Sequence, residues 1–373
     1  MKNKKYDYLV VGAGMFGATF ARVALDAGKS VLIIDKRNHV GGNCYTEKVE
    51  GIDVHVYGPH IFHTSDDRIW QFVNRFTKFE NFINKPKVSY RDKIYSFPIN
   101  LMTLYQLWGV KTPSEAEEKL KSVRIPCENP TNLEDWILSQ VGREIYETFI
   151  EGYTRKQWGR HPKELPASII KRLPIRLYFE ENYFTDTYQG IPSEGYTAMM
   201  ERMIEGADVQ LGIDFLADRE VWESRAEKVV YTGKIDEFFD YRFGELEYRS
   251  LDFETFVTDG DYQGNAVVNY TESDVPYTRI VEHKHFVPRI AGKHQKSVVT
   301  KEYPAKWTRE KTPYYPVRDK KNEELYHAYK SLVDEKTNYI FGGRLAEYVY
   351  YDMHQVIGSA LTKAKKEMME VSQ

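Results

Sequence analysis

Cysteine is scarce. Cys44 and Cys127 are the only two in 373 residues, too few for a disulfide framework or a thiolate metal site, and this usage predicts a reducing compartment. Long apolar runs are missing as well. No stretch approaches the roughly 20 apolar residues of a membrane span, and no apolar signal core of about 7–15 residues follows the basic opening residues. A cytoplasmic protein without membrane insertion is therefore expected. An excess of charge of one sign is also lacking, since 52 Lys and Arg stand against 55 Asp and Glu. That balance offers no global attraction to nucleic acid or anionic lipid, so any anion site must be assembled from individual Arg and Lys side chains. The chain shows no Ser-His-Asp order, no metal-ligand spacing and no obvious carboxylate dyad. Tyrosine, by contrast, is abundant at 28 residues, and it suits surfaces that stack on rings while also hydrogen-bonding.

The start of the chain carries the clearest local signal. Tyr6-Asp7-Tyr8-Leu9-Val10-Val11 reads as a buried strand running into Gly12-Ala13-Gly14-Met15-Phe16-Gly17. Gly12 permits a tight turn, Gly14 lets backbone approach a pyrophosphate, and Gly17 lets helix and strand pack closely. An Ala-rich helix from Ala18 to Ala27 follows, capped by Gly28, and Ser30 to Ile34 read as a second strand. Asp35 then stands where it can accept from a ribose hydroxyl. The continuation Lys36-Arg37-Asn38-His39-Val40-Gly41-Gly42-Asn43 adds a second glycine pair, free of Cβ atoms. This continuation resembles FAD-binding flavoproteins of the glutathione-reductase and amine-oxidase type, and FAD is the expected cofactor.

Further along, the texture changes. Val88 to Pro98 alternates around Arg91-Asp92-Lys93 as a hairpin would. Leu101 to about Ile150 is helical in pattern, with Ser114 as N-cap and Glu117 at N3 of a capping box, and Asn132 opening another helix. Residues 165–190 carry Pro, Arg and aromatics without a period. Tyr196 to Ile204 reads as a helix, and Val209 to Phe215 and Lys228 to Tyr231 as strands. Residues 240–320, rich in Tyr, Val and Thr, read as antiparallel strands. Tyr339 to Phe341 is a buried strand ending in Gly342-Gly343, and Tyr351 to Lys366 a closing helix. The expected architecture is α/β with α+β insertions. A discontinuous Rossmann-like domain comprises 1–80, 192–238 and 335–373. A helical domain spans 99–165, and an antiparallel sheet domain comprises 81–98, 179–191 and 239–334.

Five strings make a resemblance specific. They are Gly58-Pro59-His60-Ile61-Phe62-His63-Thr64, Thr154-Arg155-Lys156-Gln157-Trp158-Gly159, Ile170-Lys171-Arg172-Leu173-Pro174-Ile175-Arg176, Pro276-Tyr277-Thr278-Arg279, and Gly343-Arg344-Leu345-Ala346-Glu347-Tyr348 running to Asp352-Met353. Together, in this order and spacing, they resemble the bacterial UDP-galactopyranose mutase family from residue 6 to about 360. The resemblance implies interconversion of UDP-galactopyranose and UDP-galactofuranose, a ring contraction without net redox change that supplies galactofuranose for cell-surface polysaccharide. It implies non-covalent FAD in the reduced state, an adduct of flavin N5 with the sugar's anomeric carbon, and opening through an iminium. A homodimer and an external reductant are also implied.

Site residues follow from the same resemblance. Arg172 and Arg279 match the pair that stabilises the UDP diphosphate, and a guanidinium suits phosphate through two parallel N–H bonds. Arg172 lies in a segment, about 166–178, that resembles the family's mobile lid. Tyr183, Tyr314 and Tyr350 match positions near the diphosphate and sugar, and Trp158 one near sugar and flavin. Phe149, Tyr153 and Thr154 match the wall that receives uridine, where stacking on a ring is worth about 1–3 kcal/mol. Asn84 and Asn269 match contacts to the nucleotide sugar. His60 and His63 match positions beside the flavin. Their i, i+3 spacing would suit a metal only on a helix, whereas Gly58-Pro59 argues for a loop and no third ligand is near. The cofactor set implied is Gly12, Gly14, Phe16, Gly17, Asp35, Lys36, Gly42, Asn43, His60, Ile61, Asp214, Phe215, Gly343, Arg344, Asp352, Met353, His354, Gln355 and Val356.

Two other readings share the N-terminal signal. An FAD oxidase of the amine-oxidase type would be expected to bury a mostly apolar pocket rather than converge two Arg and several Tyr. A nucleotide-binding protein without catalysis would not need so many matched positions. The sequence leaves open whether UDP-N-acetylgalactosamine or UDP-arabinopyranose is also accepted.

Overall fold

The computed structural model describes residues 5–170 and 173–371. The chain divides into two compact units. The first comprises Met1–Asn81, Asp186–Tyr248 and Tyr315–Gln373, and the second Phe82–Thr185 and Arg249–Tyr314. The helical stretch and the sheet expected as separate domains thus fall together in the second unit. Among the described residues no helix is long and apolar enough to cross a membrane.

The first unit is built on a five-stranded parallel sheet. Strand β1, Tyr6–Val11, lies between β2, Val31–Asp35, and the strand Ala226–Tyr231; Asp208–Leu211 flanks β2 and Tyr339–Phe341 closes the far edge. In chain order this is 3-2-1-4-5, so the order reverses beside the C-terminal end of β1, where doubly wound sheets bind ligands. Both faces are covered, which explains why these strands read as continuous apolar runs. Tyr8, Val10, Val31 and Ile33 enter one core with Phe20, Ala21 and Ala24 of helix α1, Met15–Asp26, and with Ile357, Ala360 and Ala364 of the closing helix Met353–Val371. Leu9, Leu32 and Ile34 enter the other with Val229, Phe238 and Phe341. Each such aliphatic side chain contributes about 1.5–3 kcal/mol by leaving water. The strand expected over Val209 to Phe215 stops at Leu211, because Gly212 turns with φ +72° and donates to the Arg37 carbonyl at 2.9 Å. Cys44 is buried and Cys127 exposed, and both are free thiols; burial pushes the Cys44 thiol up to about 12, which makes it inert.

The second unit packs helices on a sheet ordered Tyr248–Asp259, Lys296–Lys306, Arg279–Glu282, Val267–Tyr270, Lys87–Tyr90, Lys93–Ser96. Pairing is antiparallel except between Val267–Tyr270 and Lys87–Tyr90, which run parallel. The hairpin expected around Arg91-Asp92 is present, with both residues at positive φ, as a two-residue turn matched to strand twist requires. Leu104, Leu120, Ile137, Val141 and Ile145 form one core with Val88 and Tyr95. The helix Pro113–Val123 is capped by Thr112, not Ser114. Thr112 Oγ1 accepts from the Glu115 N–H at 3.3 Å, and Glu115 Oε2 accepts from the Thr112 N–H at 3.2 Å. The S/T-x-x-E spacing occurs twice, and Pro113 selects the earlier copy because its fixed φ suits the first helical position. Asn132 caps Leu133–Ile145 as expected.

That helix breaks at Gly142, with φ 77°, and continues as a π-helix over Tyr146–Glu151 before Gly152–Trp158. Apolar spacing alone did not reveal this break.

Candidate active site

In the first unit the chain leaves β1 at Gly12 with φ +110°, and Thr232 at the end of the neighbouring strand donates to the Val11 carbonyl at 2.8 Å. A Cβ on Gly12 would lie 2.0 Å from that Thr232 hydroxyl. Helix α1 then begins with Gly14 as its N-cap, without a side-chain cap and without an acid in its first turn. The first-turn N–H groups therefore lack intrahelical partners and carry the positive end of the helix dipole, as an anion site requires. The second glycine pair docks against the first. The Gly41 N–H donates to the Ala13 carbonyl at 2.9 Å, and a Cβ on Gly42 would sit 2.9 Å from the Gly14 Cα. Two stretches of bare backbone thus lie side by side, a cradle that a single methyl would fill and that fits the pyrophosphate of a dinucleotide.

Asp35 does more than its expected ribose contact requires. Its Oδ2 accepts from the Ala13 N–H at 2.7 Å and its Oδ1 from the Arg37 N–H at 2.8 Å, so it fixes the glycine turn and retains lone pairs for a ligand. Lys36 pairs with Asp214 at 2.7 Å. Asn43 accepts from Arg37 Nη2 at 2.8 Å, and that guanidinium lies 4.3 Å above the Tyr57 ring. The rings of Phe16 and Phe215 are buried in the two cores; a Cβ on Gly342 would strike the Phe16 ring. These two side chains pack, and only their backbones remain for a cofactor.

The segment that closes the unit brings Gly343, whose N–H donates to Glu347 Oε2 at 3.0 Å, and Arg344, which stacks 4.7 Å from the ring centre of Tyr350. Asp352 opens the closing helix. Its carbonyl accepts from the N–H groups of Gln355 and Val356, while Gln355 Oε1 accepts from the Asp352 N–H at 2.8 Å. Met353 and His354 are half-buried there and Val356 is buried. His60 lies in a loop beside half-buried Ile61, its N–H donating to His55 Nδ1 at 3.0 Å. His63 is on the strand Phe62–Thr64, with Nδ1 2.7 Å from Asp186 Oδ2. The ring of His354 is 4.9 Å from that of His63. Burial first, and then the neighbouring His63, hold the His354 imidazole below its usual range. Asp186, His55 and Thr232 escaped the sequence reading: Asp186 and Thr232 are linked to the site only by contacts 123 and 221 residues apart, and His55 acts through a ring nitrogen whose orientation no spacing encodes.

In the second unit, register places a row of side chains on one sheet face. Tyr95 opposes Val88, Val88 opposes Asn269, Asn269 opposes Arg279, Arg279 opposes Glu302, and Glu302 opposes Phe253. Directly paired residues project to the same side, so Asn269 and Arg279 are neighbours. Glu302 is buried, its Oε2 2.9 Å from Arg279 Nε. Neither Glu302 oxygen accepts a well-aligned hydrogen bond, so the carboxylate holds the guanidinium by charge. Phe149 meets Tyr95 edge-on at 5.3 Å and stacks with Phe97 at 6.4 Å. Tyr183 lies 6.5 Å from Phe97, and its N–H donates to the Asn84 carbonyl at 2.8 Å. Tyr314 packs on Phe253 at 5.9 Å. Thr154 is buried, and Tyr153 and Trp158 are half-buried, on Gly152–Trp158. One face of this unit thus gathers Asn269, Arg279, Phe149 and Tyr314, whereas Tyr350 belongs to the first unit. Arg172 lies outside the described residues.

Glu302→Ala is expected to slow turnover about tenfold, about 1.4 kcal/mol, by freeing the Arg279 fork, with flavin content unchanged. Steady-state kinetics beside the 450 nm absorbance of the purified protein check this, and unaltered kcat/KM would remove Glu302 from any orienting role.

A family profile described as UDP-galactopyranose mutase matches residues 148–350, and one described as an NAD(P)-binding Rossmann-like domain matches residues 10–76. The chain is 42% identical over 367 residues to the dTDP-fucopyranose mutase of Escherichia coli, covering 96% of this chain and 97% of that protein. It is also 42% identical to a probable UDP-galactopyranose mutase of Klebsiella pneumoniae, covering 100% of this chain and 97% of that one. A crystal structure of reduced UDP-galactopyranose mutase superposes with a TM-score of 0.75 at 11% identity, covering 99% of this chain and 95% of that one, a likeness of fold.

Proposed function

The chain belongs to the UDP-galactopyranose mutase family, and from that premise we propose that it is a flavin-dependent isomerase interconverting UDP-galactopyranose and UDP-galactofuranose. The observation that carries this reading is the paired glycine cradle in one unit, together with the Asn269–Arg279 row beside an aromatic wall in the other. An oxidase of the amine-oxidase type would have no use for a guanidinium held by a buried carboxylate on the substrate face.

Gly12, Gly14, Gly17 and Gly42 would hold the FAD pyrophosphate on the α1 N-terminus, with Asp35 reaching the adenosine ribose. Met353 and His354, in the first turn of the closing helix that Asp352 opens and Gln355 and Val356 continue, would offer N–H groups and the positive dipole end to the anionic reduced ring. Reduced, non-covalently bound flavin supplies a nucleophile for the sugar's anomeric carbon. The chain's own residues do the rest. Arg279, aimed by Glu302, takes the charge that develops on the departing diphosphate, which is worth most where water is excluded. Asn269, Phe149, Tyr153 and Thr154 hold the nucleoside, so that the nucleoside diphosphate stays in place while the bond between its β-phosphate and the sugar's anomeric carbon is broken. Tyr183, Tyr314 and Tyr350 offer hydroxyls to phosphate and sugar. His63, whose Nδ1 lies 2.7 Å from Asp186 Oδ2, would stand beside the flavin with its ring oriented by that carboxylate. The proposal extends to a cytoplasmic homodimer, reduced by an external donor, that supplies galactofuranose for surface polysaccharide.

The E. coli relative named for dTDP-fucopyranose is as similar as the Klebsiella one, so the test includes both nucleotide sugars. Purified protein is incubated with UDP-galactofuranose, with UDP-galactopyranose or with dTDP-fucopyranose, with and without dithionite, and the products are separated chromatographically. Conversion of the UDP sugars only under reduction is expected. Turnover of dTDP-fucopyranose alone would reassign the substrate, and turnover of neither by a reducible, FAD-loaded protein would overturn the isomerase reading.

A further inference from the structure

Lys156 occupies the middle of the short helix Gly152–Trp158, where a lysine would ordinarily extend into water. Its ammonium instead donates to three main-chain carbonyls, those of Tyr270 at 2.8 Å, Val275 at 3.0 Å and Tyr277 at 2.9 Å. Tyr270 ends the strand Val267–Tyr270, and Val275 and Tyr277 lie in its connection to the strand Arg279–Glu282. A lysine ammonium has three N–H donors, and here each has its own carbonyl. Turning three carbonyls toward one point is unfavourable without a cation between them, so the loop's conformation depends on this side chain. Burial pulls the Lys156 pKa down to about 8, and the ammonium remains charged at neutral pH.

The same helix and loop are joined at two more points. Thr271 Oγ1 donates to the Thr148 carbonyl at 2.6 Å, occupying an acceptor in the π-helix. At Gly152 the backbone approaches so closely that a Cβ would lie 2.1 Å from the Thr271 carbonyl oxygen. Beyond the helix, Arg249 Nε donates to the Gln157 carbonyl at 2.9 Å, a cation at the helix C-terminus. Of these ties, Lys156 alone gathers several loop carbonyls at a single charge.

The helix carries Tyr153, Thr154 and Trp158, and the strands flanking the loop carry Asn269 and Arg279. We propose that Lys156 is a positioning residue that keeps the nucleoside-facing helix in register with the strands bearing Asn269 and Arg279, so that affinity for the nucleoside diphosphate depends on a group that never touches it. The inference rests on the preceding reading, in which these residues hold a nucleotide sugar.

The test is Lys156→Met in the full-length flavoprotein, which keeps the length of the side chain and removes its donors. UDP binding is measured by calorimetry, KM and kcat by the isomerase assay, flavin content by absorbance, and amide exchange over residues 270–278 by mass spectrometry. UDP Kd and KM are expected to rise about tenfold, kcat to change less than about threefold, flavin content to hold, and the 270–278 amides to exchange faster. A flavin-loaded variant with UDP Kd within twofold of the wild type would overturn the proposal, even with a lowered Tm, because stabilisation alone leaves the affinity of folded protein unchanged. Should Lys156→Met not yield folded protein, Lys156→Gln, which keeps two donors, is read by the same criteria. A wild-type protein that binds neither UDP nor dTDP would count against the nucleotide-sugar reading instead. In that case the clamp stands or falls on the exchange data, and unchanged exchange in the variant would sink it.

Discussion

Arg279→Ala is expected to lower kcat/KM by about two to three powers of ten, or about 2.7–4 kcal/mol, while the protein stays yellow. The size follows from where the guanidinium sits. Its Nε lies 2.9 Å from the buried Glu302 carboxylate, which fixes the orientation of the guanidinium, so it would meet a diphosphate as an oriented planar group rather than as a mobile surface charge. Truncation removes that group and also leaves Glu302 buried without its partner. An orphaned buried charge costs about 3–5 kcal/mol of stability, so lost activity could be confused with lost structure. Two companions separate them. Arg279→Lys keeps the charge and loses the fork, and should recover stability but only part of the rate. Arg279→Ala combined with Glu302→Ala removes the stranded carboxylate, and should recover thermal stability without recovering turnover. Near-wild-type kcat/KM in Arg279→Ala would remove Arg279 from the chemistry, whatever its geometry.

Part of this site was legible before any fold was in view, and the division has a physical basis. The cradle was readable because its determinants are local: Gly12, Gly14, Gly17 and Asp35 act within one strand-turn-helix-strand unit, where spacing encodes geometry. Arg279 and Asn269 became visible through motif resemblance, and their adjacency became visible only through strand register. Glu302, Asp186 and Lys156 were not legible. Each acts through a partner far away in sequence, as with His63 and Asp186 at a separation of 123 residues and Lys156 and Tyr277 at 121. Nothing in the composition around Glu302 separates a buried orienting carboxylate from a solvated one. Local signals failed where two of them competed. Thr112 and Ser114 both begin a capping-box spacing, and the intrinsic preference of Pro113 decided between them. The helical period running toward Ile150 gave no warning of Gly142 or of the π-helix, because a one-residue expansion of a turn barely disturbs apolar spacing. Phe16 is a matched position whose ring packs in the core, so that only its backbone is left for the cofactor contact that the resemblance implies.

Gly17→Ala should abolish flavin binding, the second large effect. At Gly17 the limit is space: a Cβ there would stand 2.0 Å from the Gly12 carbonyl oxygen and 2.9 Å from Val10 Cγ1. The nearer obstacle is backbone, in the turn that must approach the pyrophosphate, so it cannot move without destroying the cradle. The alternative is for α1 to lift away from β1. That would withdraw its first-turn N–H groups from the ligand and open the packing of Ala21 and Ala24 against the closing helix. Overpacking of this kind typically costs about 1–3 kcal/mol and sometimes more. The Tm should therefore fall, and the purified protein should lack the 450 nm band even when FAD is added in excess. Gly28→Ala is the matched control, at the other end of the same helix. Its Cβ would meet nothing within 4 Å, although φ is +76°, so it should cost about 1 kcal/mol of backbone strain and keep its flavin. If both variants lose flavin alike, general weakening of α1 explains the loss. If only Gly17→Ala loses it, the close approach of helix to glycine turn is what holds the pyrophosphate site open.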